Sequence, residues 1–176
     1  SEINPIGAAG HYGKGKYFVS EADEYLAELK YDRTPKFLYQ HPKYLIINNI
    51  DFDHPDFYRN LEEVERAYGM LVEQLGQDAL LIINGDDQNI MSLLGSQGLA
   101  LQARKASPCK TITYGTSSSN EFVIKNYRQE GLSSTFNVSR NSTELGEFTL
   151  LVPGYHNAKN AISVIALLME LGISVP

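Results

Sequence analysis

The chain holds one cysteine, Cys109, and no tryptophan. A lone cysteine excludes an internal disulfide, which suits the cytoplasm. Basic residues are in the minority: 15 Lys and Arg stand against 21 Asp and Glu, a net charge of −6. That balance argues against a general nucleic-acid partner and gives no pointer to a membrane surface. No apolar run approaches the length of a bilayer span, and the first twenty residues lack a basic-then-apolar leader. No internal repeat or heptad array is found. What is present is ordinary: 176 residues, 43% hydrophobic and 20% charged, enough for one domain with a real core.

The stretch Tyr44 to Tyr58, YLIINNIDFDHPDFY, organises the chain. Tyr44 to Asn48 reads as a buried strand. Asn49, Asp51, Asp53, His54 and Asp56 follow at once, and open α/β sheets bind ligands just past the carboxyl ends of their strands. A histidine beside carboxylates suits a divalent cation; the competing reading is a solvated turn.

Upstream, residues 1 to 16 read as a loop. Gly7, Gly10, Gly13 and Lys14 suggest a phosphate loop, but Ala8 replaces its first glycine and Gly15 its Ser or Thr. Tyr17 to Ser20 reads as a short strand running into Glu21, Asp23 and Glu24. Residues 25 to 42 read as irregular, with a short helix near Leu26. Asn60 to Gln74 is the clearest helix: Asn60 caps it, Glu62 and Glu63 suit its positive end, and Leu61, Val64, Tyr68, Leu71 and Leu75 form one stripe.

Ala79 to Ile83 reads as another buried strand, with Asp86 or Asp87 capping the short helix after it. Strands alternating with helices give a parallel sheet to about residue 100. Lys110 to Tyr114, Glu121 to Lys125, Thr135 to Arg140 and Glu144 to Leu151 then read as a small antiparallel appendage. Gly115 to Asn120 reads as a turn without chemistry. A long apolar helix closes the chain, opened by Pro153-Gly154-Tyr155-His156-Asn157-Ala158-Lys159-Asn160. Asn157 and Asn160 share a face, where paired amides read a nucleobase edge or simply cap the helix. The fold class is therefore α/β, a mostly parallel sheet flanked by helices with a small antiparallel subdomain.

In order, YFVSEADEY, NNIDFDH, INGDDQN and PGYHNAKNA resemble the central, ATP-binding domain of the Mur ligases, the ATP-dependent amide ligases of cell-wall peptidoglycan. The resemblance runs from Tyr17 to Ala161. EADEY matches the branch holding UDP-N-acetylmuramate–L-alanine ligase and murein peptide ligase. PKFLYQHPKYLIINNIDFDHPDFY is more similar to murein peptide ligase, which joins L-alanyl-γ-D-glutamyl-meso-diaminopimelate to UDP-N-acetylmuramate. The alternative is the alanine ligase, which more often shows Thr-Asn in place of Asn48-Asn49.

The resemblance implies ATP and Mg2+ as cofactors, and UDP-N-acetylmuramate with an amino acid or short peptide as substrates. It implies Glu21 and His54 as catalytic metal ligands, Asn49 near the nucleotide, and His156, Asn157 and Asn160 on the adenine. Magnesium prefers oxygen, which ranks Glu21 ahead of His54. The family's GTHGKTTT-type phosphate loop is missing, and in relatives it lies upstream of Ser1. The two flanking domains are missing as well. The expectation is a truncated central domain, inactive alone: a parallel part over 1–100, antiparallel strands over 110–152 and a closing helix over 153–173. The helix after His54 lacks the Lys that other Mur ligases carbamylate, which fits the alanine and murein peptide branch.

Two rivals stand beside this. A metal-dependent hydrolase built on Asp51, Asp53, His54 and Asp56 lacks histidines, since His11, His41 and His156 are distant in sequence. A non-catalytic binding module would keep the fold and lose the phosphate loop.

Overall fold

The computed structural model describes residues 10–28, 30–95 and 109–174. Gly7 and Ala8, with the rest of residues 1 to 9 of the loop expected over 1 to 16, lie outside them. A small hairpin comes first, β1 (Leu26–Glu28) against β2 (Asp32–Pro35), followed by a 3-10 turn at Lys36–Tyr39. Then come β3 (Tyr44–Ile47), α1 (Leu61–Glu73), β4 (Leu80–Asn84), α2 (Gln88–Leu94), β5 (Lys110–Gly115), β6 (Phe122–Glu130), β7 (Ser133–Arg140), β8 (Thr143–Leu150) and α3 (Tyr155–Glu170).

Strands β3 to β8 form one six-stranded sheet in sequence order. Strands β3 to β6 are mutually parallel, and β7 and β8 continue antiparallel. Strand β4, LLIIN, is buried at every position. Leu81 and Ile83 pack with Val64, Leu71 and Leu75 of α1 and its end. Leu80 and Ile82 face the other way, toward Ala158, Ile162 and Ala166 of α3. A strand covered on both faces must be apolar throughout, so LLII shows no alternation. Asn60 caps α1 as expected, its side chain accepting the Glu63 N–H.

The join of β5 to β6 shapes the molecule. Only Tyr114 and Gly115 pair with Phe122 and Val123. Parallel neighbours normally need a long crossover to return the chain to its starting edge. Here β6 begins where β5 ends, so six intervening residues suffice. The rest of β6, with β7 and β8, stands beyond the carboxyl edge of the parallel strands. Helix α3 descends from that height: Glu170 pairs with Lys110 at the start of β5, and Ser163 lies beside Tyr114 near its end. Its amino end therefore overhangs the rim.

Three expectations change. Tyr17 to Ser20 forms no strand, because Phe18 and Val19 stay 88% and 89% exposed and have no layer to join. Leu26 belongs to a hairpin, not a helix. Lys110 to Tyr114 belongs to the parallel set, its Ile112 and Tyr114 being wholly buried against α3. The antiparallel strands β7 and β8 are added to the edge of the main sheet through β6. Phe136, fully buried and stacked 6.0 Å from Phe148, anchors this arm beneath α3. Phe136→Ala is expected to cost about 3–5 kcal/mol in urea unfolding, since a large cavity would open there.

Candidate functional site at the carboxyl rim of the sheet

Asn48 and Asn84, just past β3 and at the end of β4, tie the rim together. Asn84 Nδ2 donates to the Asn48 carbonyl at 3.1 Å, and Tyr114 OH donates to Asn48 Oδ1 at 2.6 Å. Asn89 Nδ2 donates to the Ile50 carbonyl at 2.6 Å, which fixes the start of the acidic loop. Asn49 is exposed on this loop, its amide donating to Asp51 Oδ2 at 2.8 Å.

His54 occupies a turn at φ 58°, a region costly for a side chain with a Cβ. The turn is held by Phe57 N–H and Tyr58 N–H donating to the His54 carbonyl. The segment 21–25 reaches the same corner pinned to the 3-10 turn. Lys36 N–H donates to the Tyr25 carbonyl, Phe37 N–H to the Asp23 carbonyl, and Gln40 Nε2 to the Glu21 carbonyl. Glu24, not Glu21, is set against the imidazole, its Oε1 3.5 Å from His54 Nε2. Glu21 is exposed.

Among the described residues no group of three or more His, Cys, Asp or Glu is assembled for a metal. Magnesium would need few protein groups here, and Glu21, on the segment pinned to this corner, and His54 are the two that would hold it. That ion keeps several waters and takes one or two protein carboxylates, with phosphate oxygens completing its shell.

Asp86 holds the opposite side of the rim. It accepts from Thr116 N–H, Thr116 Oγ1 at 2.7 Å, Ser117 N–H at 3.2 Å and Asn120 Nδ2 at 2.8 Å. Burial opposes its ionisation, but these donors outweigh burial and hold the carboxyl below the usual carboxylate range. Asp87 is the cap of α2, accepting from Ile90 N–H at 2.9 Å. The segment Gly115 to Asn120 is thus a clamped loop and not an idle turn. The NGDD spacing showed two aspartates, but their division of labour depends on a loop thirty positions away. Gly115 must be glycine here, since a Cβ would meet the Asp86 carboxyl at 2.5 Å.

The amino end of α3 completes the rim. Gly154, at φ 104°, starts the helix with no side-chain cap, so its first N–H groups point outward. Gly154 N–H donates to Gln129 Oε1 at 3.1 Å, and the Tyr155 ring sits edge-on to Tyr127 at 4.9 Å, both on the raised part of β6. Burial first, and then the charge of Asp86, raises the Tyr155 pKa, which places Asp86 close to the helix start. His156 and Asn160 are exposed. Asn157 Nδ2 donates to the Pro153 carbonyl at 2.7 Å, leaving Oδ1 as an acceptor. A polar cavity of about 390 Å³ lies beside the clamped loop, lined by Thr113, Ser119, Asn120, Lys125 and Ser139 among others. It contains none of the six residues singled out by sequence.

The pattern of the Mur ligase middle domain matches residues 9–168. The chain belongs to the Mur ligase family. It is 36% identical over 169 residues to UDP-N-acetylmuramate--L-alanine ligase of Streptococcus gordonii, covering 96% of this chain and 32% of that protein. The chain thus spans about a third of the length of the curated relatives it matches. The murein peptide ligase structure from Neisseria meningitides superposes with a TM-score of 0.71 at 24% identity, covering 88% of this chain and 43% of that one. UDP-N-acetylmuramate-alanine ligase of Thermotoga maritima gives 0.57 at 27% identity over 77% of this chain and 27% of that one.

Because its folded pKa is depressed, Asp86 adds stability above the unfolded carboxylate pKa and loses it as pH falls through the folded value. Acid is therefore expected to free the loop. Asp86→Ala at neutral pH is expected to speed amide exchange of Thr116 and Ser117 about tenfold, a local loss of about 1.5 kcal/mol for charge-assisted bonds at a partly exposed site.

Proposed function

We propose that this Mur ligase segment is the nucleotide-binding middle part of an ATP-dependent ligase that joins L-alanine to UDP-N-acetylmuramate in peptidoglycan synthesis, in the cytoplasm. The observation that carries the nucleotide reading is the rim itself. It brings together the ends of β3, β4 and β5, the clamped loop and the uncapped amino end of α3. The choice of alanine over the tripeptide of murein peptide ligase rests on relatives at 29–36% identity across 90–99% of this chain, all alanine ligases. The murein peptide ligase likeness, at 24% identity, speaks for the fold. The sequence-based preference for murein peptide ligase is set aside on that ground.

In such a ligase the γ-phosphoryl group of ATP passes to the muramoyl carboxylate. The alanine amine attacks the resulting acyl phosphate, and inorganic phosphate leaves. Magnesium, when bound, screens the negative charge that gathers between phosphate and carboxylate. The chain's own part is positioning. Glu21 and His54 hold the cation side, and Asn49 lies on the loop toward the nucleotide. His156, Asn157 and Asn160 face the base. With its Nδ2 committed to Pro153, Asn157 presents an oxygen outward, which suits the amino group of adenine and repels the carbonyl of guanine.

A protein carrying this chain with its flanking sequence is expected to release phosphate only when UDP-N-acetylmuramate, ATP and L-alanine are all present. Release driven by the tripeptide and not by alanine would restore the murein peptide ligase reading. Glu21→Ala is expected to abolish turnover without unfolding the protein. Asn157→Ala is expected to raise the KM for ATP about tenfold, the value of one good base contact of about 1.4 kcal/mol, and to narrow the preference for ATP over GTP.

A further inference from the structure

Glu24 has no part in the mechanism just given, yet it is the most connected group at the cation corner. Its Oε1 lies 3.5 Å from His54 Nε2, and its Oε2 accepts Tyr68 OH at 2.9 Å. Its backbone carbonyl accepts Tyr58 OH at 2.8 Å. Burial, reinforced by the Glu24 charge, raises the pKa of both phenols, Tyr58 to about 12, so both remain donors at neutral pH. The carboxylate is therefore fixed from α1, and the backbone that carries it from the turn before α1. Glu24 and His54 side chains are each about three-quarters shielded from solvent, 24% and 25% exposed.

The imidazole is confined as well. The Tyr25 ring lies 4.4 Å from it, and Phe57 6.2 Å, centroid to centroid. Asp53 Oδ1 accepts the His54 backbone N–H at 2.8 Å, and Asp53 Oδ2 lies 3.9 Å from the same ring nitrogen, Nε2. Nε2 is thus the ring nitrogen nearer to both carboxylates. A bare lone pair there would face two anions. A proton there faces two acceptors.

We propose that Glu24 is a positioning residue for His54: it accepts the Nε2–H, fixes that tautomer, and leaves the Nδ1 lone pair as the donor directed at a divalent cation. The cation part rests on the reading of His54 as a metal ligand. The physical reason is general. A histidine that ligates a metal through one nitrogen gives its other N–H to a carboxylate or carbonyl, which sets ring orientation and raises ligand basicity. Tyr68 would then act one step further out, holding Glu24.

The test uses the 176-residue chain with 15N-labelled histidine, in mildly alkaline buffer. Two-bond proton–nitrogen correlation is expected to show His54 as a single Nε2–H tautomer. Glu24→Ala is expected to give a mixture of tautomers with an otherwise native amide spectrum. Glu24→Gln, whose carbonyl oxygen can still accept, is expected to restore the single form. Added cadmium, a diamagnetic stand-in for the cation, is expected to shift Nδ1 and spare Nε2–H. Manganese affinity by electron paramagnetic resonance is expected to fall about 10–100-fold in Glu24→Ala. An Nδ1–H tautomer in the parent chain, or cadmium bound at Nε2, would overturn the proposal. An unchanged tautomer in folded Glu24→Ala would do so too. If cadmium moves neither nitrogen while the tautomer and its dependence on Glu24 are as expected, the positioning role stands and the reading of His54 as a metal ligand fails.

Discussion

The two-residue overlap of β5 with β6 is the constraint on which the rest depends. A fuller parallel pairing would have needed a crossover and would have left every strand ending at one level. The short overlap lets β6 climb past the rim and fold back as β7 and β8. The chain then re-enters from above as α3. That brings the first turn of a helix against the raised part of β6 and close to Asp86, just past β4. Ile162, Ala158 and Ala166, all fully buried, hold the helix down on the sheet.

Two carboxylates then fix the two sides of the rim by similar means. Asp86 gathers four donors from one loop and keeps it still. The Glu24 carboxylate faces the imidazole and is held by the Tyr68 phenol, and the Glu24 backbone carbonyl is held by Tyr58. Asp86 has its acceptors largely taken by its loop, and Glu24 has one carboxylate oxygen taken by Tyr68.

The helices and the central strands were legible because their signals are local. Asn60, Glu62 and Glu63 mark a helix start by capping and dipole alone, and β4 announces burial by composition. Tyr17 to Ser20 failed because β-propensity describes how well a residue suits a sheet surface, and no strand is there to receive it. Lys110 to Tyr114 was placed among the antiparallel strands because short Gly- and Ser-bounded segments look alike whichever way they pair. Its direction is decided by β4 beside it. Which carboxylate packs against His54 was not legible either. Glu21 and Glu24 are equivalent in a one-dimensional reading, and the 3-10 turn at Lys36–Tyr39 selects between them by hydrogen bonds to the backbone of residues 21–25.

By itself, the order of residues determined the class of fold and the family. These follow from periodicity, capping and motif order, which need no knowledge of partners far along the chain. Only the tertiary structure decided that Gly115 to Asn120 is clamped to Asp86, that Glu24 faces His54, and that α3 overhangs the rim. Each of those joins groups at least thirty positions apart or depends on strand register, and such contacts arise only when packing brings the segments together.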